Sequence, residues 1–136
     1  MDSEKVLIEE ITIIQNIINR MGNYSFLIKG WTIALVSVTL LIRGEKTHIF
    51  IAFIPLVIFW FLDSYFLWQE RMYRKLFDWV IKNRLKTNEY LFDMNAYRFK
   101  SEVVSKSRIM FSITLGWFYG SIVILIVIYT LIELFF

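Results

Sequence analysis

The residues best placed to do chemistry lie on one stretch, Phe59 to Phe77, FWFLDSYFLWQERMYRKLF. Asp63 stands on its apolar side, and Glu70, Arg71, Arg74 and Lys75 stand on its polar side. At helical spacing Asp63, Glu70 and Phe77 fall at i, i+7 and i+14, so both carboxylates share one face. A carboxylate inside a hydrocarbon-length segment is expensive and stays only with a partner or a function. Two readings are open. In one, Asp63 faces a water-filled path, with Glu70, Ser112, Gly116 and Gly120 as further pore or gating residues. In the other it closes a structural ion pair with Arg71, Arg74 or a neighbouring helix.

A second chemistry is anion recognition. Arg71, Arg74, Lys75, Lys82, Arg84 and Lys86, joined by Arg98 further on, can neutralise phosphates. Interleaved Tyr73 and Tyr97, with Tyr65 and Tyr90, can stack on bases. The same cations also suit an attraction to anionic lipid, and aromatic residues at helical spacing also suit a core. Enzymatic chemistry is poorly provided for. The chain has no cysteine and a single histidine, His48, which excludes thiolate chemistry and a His-based metal site or triad. No phosphate-binding glycine loop, dinucleotide fingerprint or zinc-protease motif occurs. No catalytic residue, cofactor or metal is therefore expected.

These residues must be positioned by membrane helices. The 136 residues are 57% hydrophobic, above the usual share of a soluble domain, and the excess sits in three long blocks. The expected fold is all-α, a single integral membrane domain over 1–136 with three transmembrane helices. Residues 1–22 read as an amphipathic helix, with Leu7, Ile11, Ile14, Ile18 and Met21 at three- and four-residue steps and Ser3 as a candidate N-cap. Gly22-Asn23 is the expected break. Residues 26–42 form the first span, with Lys29 near its start able to snorkel to the headgroups. Residues 43–48 make a short turn, and 49–68 form the second span. Residues 69–108 form a basic cytoplasmic helical hairpin, its second helix expected over about 89–107 with Tyr90, Leu91, Met94, Tyr97 and Val104 on its apolar side. Residues 109–132 form the third span, in which Gly116 and Gly120 permit close helix approach.

The N-terminus opens with Asp2, Glu4, Glu9 and Glu10, unlike a cleavable signal peptide, so the first apolar block is expected to be retained. With three spans, thirteen of the fifteen Lys and Arg residues (Lys5, Arg20, Lys29 and ten in 69–108) fall on the N-terminal side, against Arg43 and Lys46 on the other. The positive-inside rule then places the N-terminus in the cytoplasm and the C-terminus outside.

Two segments carry a resemblance. Asn19-Arg20-Met21 with Ser25-Phe26-Leu27-Ile28-Lys29-Gly30-Trp31-Thr32 is one, and Phe61 to Leu76, FLDSYFLWQERMYRKL, is the other. Over Ile18 to Leu76 the chain resembles small bacterial membrane proteins akin to the SLATT-type effectors of nucleotide-signalling defence operons, most of all the transmembrane effectors of Hailong anti-phage systems. The resemblance implies a pore- or ion-channel-forming effector of abortive infection in the bacterial inner membrane. It implies a homo-oligomer, a tetramer by analogy, gated by a nucleotide or short DNA oligomer. An operon-encoded nucleotidyltransferase would be the functional partner and would supply that signal. On the residues alone, a non-catalytic membrane anchor or scaffold for a soluble enzyme is the alternative. The topology is checked by fusing a reporter active only in the cytoplasm to Phe136: no signal is expected, and a strong signal would overturn the three-span orientation.

Overall fold

The computed structural model describes residues 2–42 and 50–136. The expected turn at 43–48, with Arg43, Lys46 and His48, and the first residue of the second expected span lie outside the described residues. Every regular element described is helical: α1 Ser3–Leu41, α2 Phe53–Asn83, a 3-10 helix Ala96–Glu102, α3 Lys106–Met110 and α4 Ile113–Phe135. Three helical segments, Ser3–Leu41, Phe50–Asn83 and Ile113–Phe135, are long and apolar enough to cross a membrane. The chain is an all-α integral membrane protein.

The expected break at Gly22-Asn23 does not occur. Asp2 caps α1 by accepting from the Glu4 N–H, and the helix then runs 39 residues, about 58 Å, past both glycines. Its buried positions are Val6, Glu10, Ile14, Ile18, Ser25, Ile28, Thr32 and Val36. They recur at steps of three, four and seven, so one stripe keeps its phase through Gly22. A mid-helix glycine costs only about 1 kcal/mol, which continuous packing of that stripe on α2 offsets. The amphipathic helix and the first span are thus one rod. On α2 the buried residues Leu56, Asp63, Ser64, Trp68, Gln69, Met72, Leu76 and Val80 likewise run from the apolar segment into the charged one.

The expected second helix of the cytoplasmic hairpin is also corrected. Residues 84–95 form turns joined by irregular backbone, Ala96–Glu102 is a short 3-10 helix, and Val103 and Ser105 are extended. Side chains that compete with helical backbone bonds account for this. Thr87 Oγ1 accepts from the Glu89 N–H, Asp93 Oδ1 from the Asn95 N–H, and Asn95 Oδ1 from the Tyr97 N–H. Tyr90 and Phe92 take left-handed φ values of 56° and 53°. The third expected span is divided as well. α3 ends at Met110, whose carbonyl accepts from Trp60 Nε1 at 2.7 Å, and Ser112 caps α4 by accepting from the Leu115 N–H. Tyr129 at the far end of α4 donates to the Leu40 carbonyl at 3.0 Å, tying α4 to the end of α1.

The core runs the length of the bundle, from Ile14, Ile18, Leu76 and Val80 through Trp68, Met72 and Ile109 to Leu56, Leu115, Tyr119 and Ile126. Phe26, Trp31, Ile58 and Leu125 point outward, as lipid-facing positions should. A methyl group added at Gly22 meets nothing within 4 Å. Gly22→Ala should therefore stabilise the protein by about 0.5–1 kcal/mol in equilibrium unfolding, and a loss of stability would show that α1 must bend there.

Candidate functional site

Three helices bring their polar side chains to one point. Asp63 on α2 is completely buried, and its carboxylate is held from two sides. Oδ2 accepts from Lys29 Nζ at 2.6 Å and from the Tyr119 hydroxyl at 2.8 Å, while Oδ1 accepts from the Ser25 hydroxyl. Lys29 Nζ also donates to Ser25 Oγ at 2.8 Å. Ser25 and Lys29 are one turn apart on α1, and Tyr119 reaches in from α4 against the stacked ring of Trp60, 5.5 Å away. Asp63 stands five residues before Trp68, about 7 Å along the axis, so the cluster sits in the apolar part of α2 close to where its charged part begins. The pairing partner is Lys29, not Arg71 or Arg74. Asp63 does not face an open path within one protomer.

A second buried ion pair joins the first turns of α1 to the end of α2. Glu10 on α1 and Arg84 at the end of α2 are 1% and 2% exposed. Arg84 Nε lies 2.6 Å from Glu10 Oε1, a charge contact off the N–H direction, and Nη2 donates to Oε2 at 3.1 Å. The remaining donors serve the following turn: Nη1 bonds the carbonyls of Thr87 and Glu89, and Nη2 that of Tyr90. Arg84 was a candidate phosphate ligand. The structure corrects this, because its charge is compensated and its donors are directed at protein acceptors.

The other candidates separate onto two sides of α2. Arg71, Arg74, Lys75 and Lys82 recur at i, i+3, i+4 and i+11 along the side away from buried Met72, Leu76 and Val80. Arg74 is exposed and donates to Glu70 Oε1 at 3.0 and 2.7 Å, so the Glu70 carboxylate is engaged one turn from its own backbone. Tyr73 and Tyr97 belong to the packed side. Tyr97 is half exposed, but its hydroxyl accepts from buried Gln69 at 2.8 Å and its ring meets Trp68 edge-on. The Arg98 guanidinium is enclosed by Tyr90, Trp79 and Phe99 at 3.9, 4.6 and 5.0 Å. Stacking tyrosines and the cationic stripe therefore do not form one patch. Lys106 is likewise covered by Trp68, Tyr65 and Phe61, at 4.8, 5.7 and 5.9 Å.

Ser112, Gly116 and Gly120 line an open groove along α4 with Trp117 and Ser121. The Ser112 hydroxyl serves as the helix cap. No metal-ligating cluster of His, Cys, Asp or Glu occurs among the described residues.

Sequence reasoning missed Lys29, Ser25, Tyr119 and Glu10. One signal was available for the first two: Ser25 and Lys29 stand on one helix face near the start of the first apolar segment, as Asp63 stands near the end of the second, which runs antiparallel to it. Comparison of the chain with protein-family models, curated proteins and solved structures gave no match. Removing one partner of a buried pair leaves an uncompensated charge. Arg84→Met should cost about 3–5 kcal/mol in equilibrium unfolding, with part recovered in Arg84→Met/Glu10→Met, whereas Arg74→Ala at the exposed pair should cost less than about 1 kcal/mol. Equal losses at the two sites would contradict this ranking.

Proposed function

We propose that this chain is the subunit of a homo-oligomeric, ion-conducting membrane effector gated by a phosphate-bearing signal at its cytoplasmic face. The observation that carries the reading is α2. It runs 31 residues without interruption, about 46 Å, with Asp63 in its membrane part and half-buried Arg71 and exposed Arg74, Lys75 and Lys82 along one side of its cytoplasmic part. A helix of this kind moves as one body, so a ligand on the stripe is coupled to the Lys29–Asp63 cluster. Among the described residues one protomer is filled by its own core, so conduction requires several copies. In the arrangement seen here Lys29 masks Asp63, which corresponds to a non-conducting state.

The likeness of residues 18–76 to SLATT-type effectors supplies the biological setting: abortive infection in the bacterial inner membrane, N-terminus in the cytoplasm. The signal is then a nucleotide or short DNA oligomer made by a nucleotidyltransferase encoded nearby. The second reading, a non-conducting anchor for a soluble enzyme, is favoured by the complete pairing of Asp63, which needs no pore to explain it.

The test uses purified protein in liposomes, assayed for monovalent ion flux with and without short deoxyadenosine oligomers. Oligomer binding should weaken with salt at about 0.7 log units per tenfold salt for each phosphate contacted. Arg71→Glu/Lys75→Glu/Lys82→Glu should lose that binding and flatten the slope, while flux becomes insensitive to oligomer. Protein that is oligomeric at matched density yet neither binds nor conducts would leave the anchor reading standing.

A further inference from the structure

We propose that the Lys29 ammonium is a tethered occupant of a binding site for a single potassium-sized monovalent cation. Lys29 and a free cation exchange in that site. The proposal rests on the geometry of the Asp63 cluster and holds whether or not the protein conducts.

The site supplies the charge and two of the oxygen ligands such an ion needs. Asp63 is 0% exposed and supplies one full negative charge in the membrane segment, where an uncompensated carboxylate is not tolerated. Its orientation is fixed by two hydroxyl donors that carry no charge, Ser25 on Oδ1 and Tyr119 on Oδ2. Having given its proton to the carboxylate, the Ser25 oxygen still offers lone pairs, and one of them receives Lys29. The positive charge thus meets a carboxylate oxygen at 2.6 Å and a hydroxyl oxygen at 2.8 Å, with the Phe118 ring 5.7 Å away. Ammonium and potassium are of similar size, so oxygens set for the one are set for the other. Lithium, much smaller, would require the three helices to close further. The cluster contains one carboxylate, so a divalent ion would leave buried positive charge.

An exit route is also present. The Lys29 side chain is 21% exposed while its partner is fully buried. Its long stem starts near the cytoplasmic end of the membrane segment and can carry the ammonium out to the headgroups. When it leaves, Asp63 needs another cation, and the gap has the charge and oxygen spacing described above. Raising the concentration of a fitting cation therefore shifts Lys29 outward by mass action.

Two measurements test the exchange at matched ionic strength, comparing potassium chloride with the chloride of N-methyl-D-glucamine, a cation too large for the site. In the wild-type protein, acetylation of Lys29 by acetic anhydride, quantified by mass spectrometry against exposed Lys82, should be several-fold greater in potassium. Asp63→Asn should make Lys29 equally reactive in both salts. Lys29→Met should unfold several degrees higher in potassium than in N-methyl-D-glucamine, with no such difference in Lys29→Met/Asp63→Asn. Equal wild-type labelling in the two salts would overturn the exchange, and it decides the matter even if Lys29→Met fails to fold. Folded Lys29→Met with one unfolding temperature in both salts, or potassium stabilisation that survives Asp63→Asn, would overturn the site.

Discussion

A buried carboxylate in a membrane segment must be compensated, and much of this structure follows from how Asp63 meets that requirement. Its charge is balanced from α1 by Lys29 and its remaining hydrogen-bonding capacity is met by Ser25 and by Tyr119 of α4. The interaction fixes more than energy. It sets the axial register of α1 against α2, because Lys29 and Asp63 must lie at one depth. It also gives α4 a directional polar bond to α2 in an otherwise apolar setting. Hydrocarbon supplies no hydrophobic drive for helix association, so polar bonds and close packing carry that load.

The second buried pair, Glu10–Arg84, repeats the solution at the water-facing end. Between the two pairs the α1–α2 interface is almost wholly apolar, with Ile14, Ile18, Leu76 and Val80 in its core. Such an interface can slide by a turn without large loss of apolar burial. Two charge pairs at its ends remove that freedom. Arg84 then extends its role beyond the pair. Its other donors hold the carbonyls of Thr87, Glu89 and Tyr90, which shapes the turn that returns the chain across α2.

How legible this was depends on the range of the interaction. The three apolar segments and the all-helical class follow from segment composition, and each expected span falls largely on a helical segment long and apolar enough to cross a membrane. Gly22-Asn23 looked like a stop because local propensity was all that could be weighed; the continuous stripe from Val6 to Val36 matters only once α2 lies along it. Residues 89–107 had helical spacing of apolar side chains, but Thr87, Asp93, Asn95 and Ser105 were the better guide, since their side chains capture backbone N–H groups locally. Arg84 read as one cation of a basic run. Its burial depends on Glu10, 74 residues away, and no local pattern distinguishes it from Lys82 or Lys86. Asp63 was legible as costly and as one half of an ion pair, but its partner was not, because Lys29 read as a side chain that snorkels outward.

The central claim, that Lys29 and Asp63 act as one unit on which the bundle depends, is most directly tested by a double-mutant cycle. Equilibrium unfolding in bicelles would be measured for wild type, Lys29→Met, Asp63→Asn and the double variant, with N-methyl-D-glucamine as the only added cation. Residues in one buried network show coupling of about 0.5–3 kcal/mol, and a fully buried carboxylate places this pair at the upper end, near 2–3 kcal/mol. Stability losses that add to within about 0.5 kcal/mol would contradict the claim.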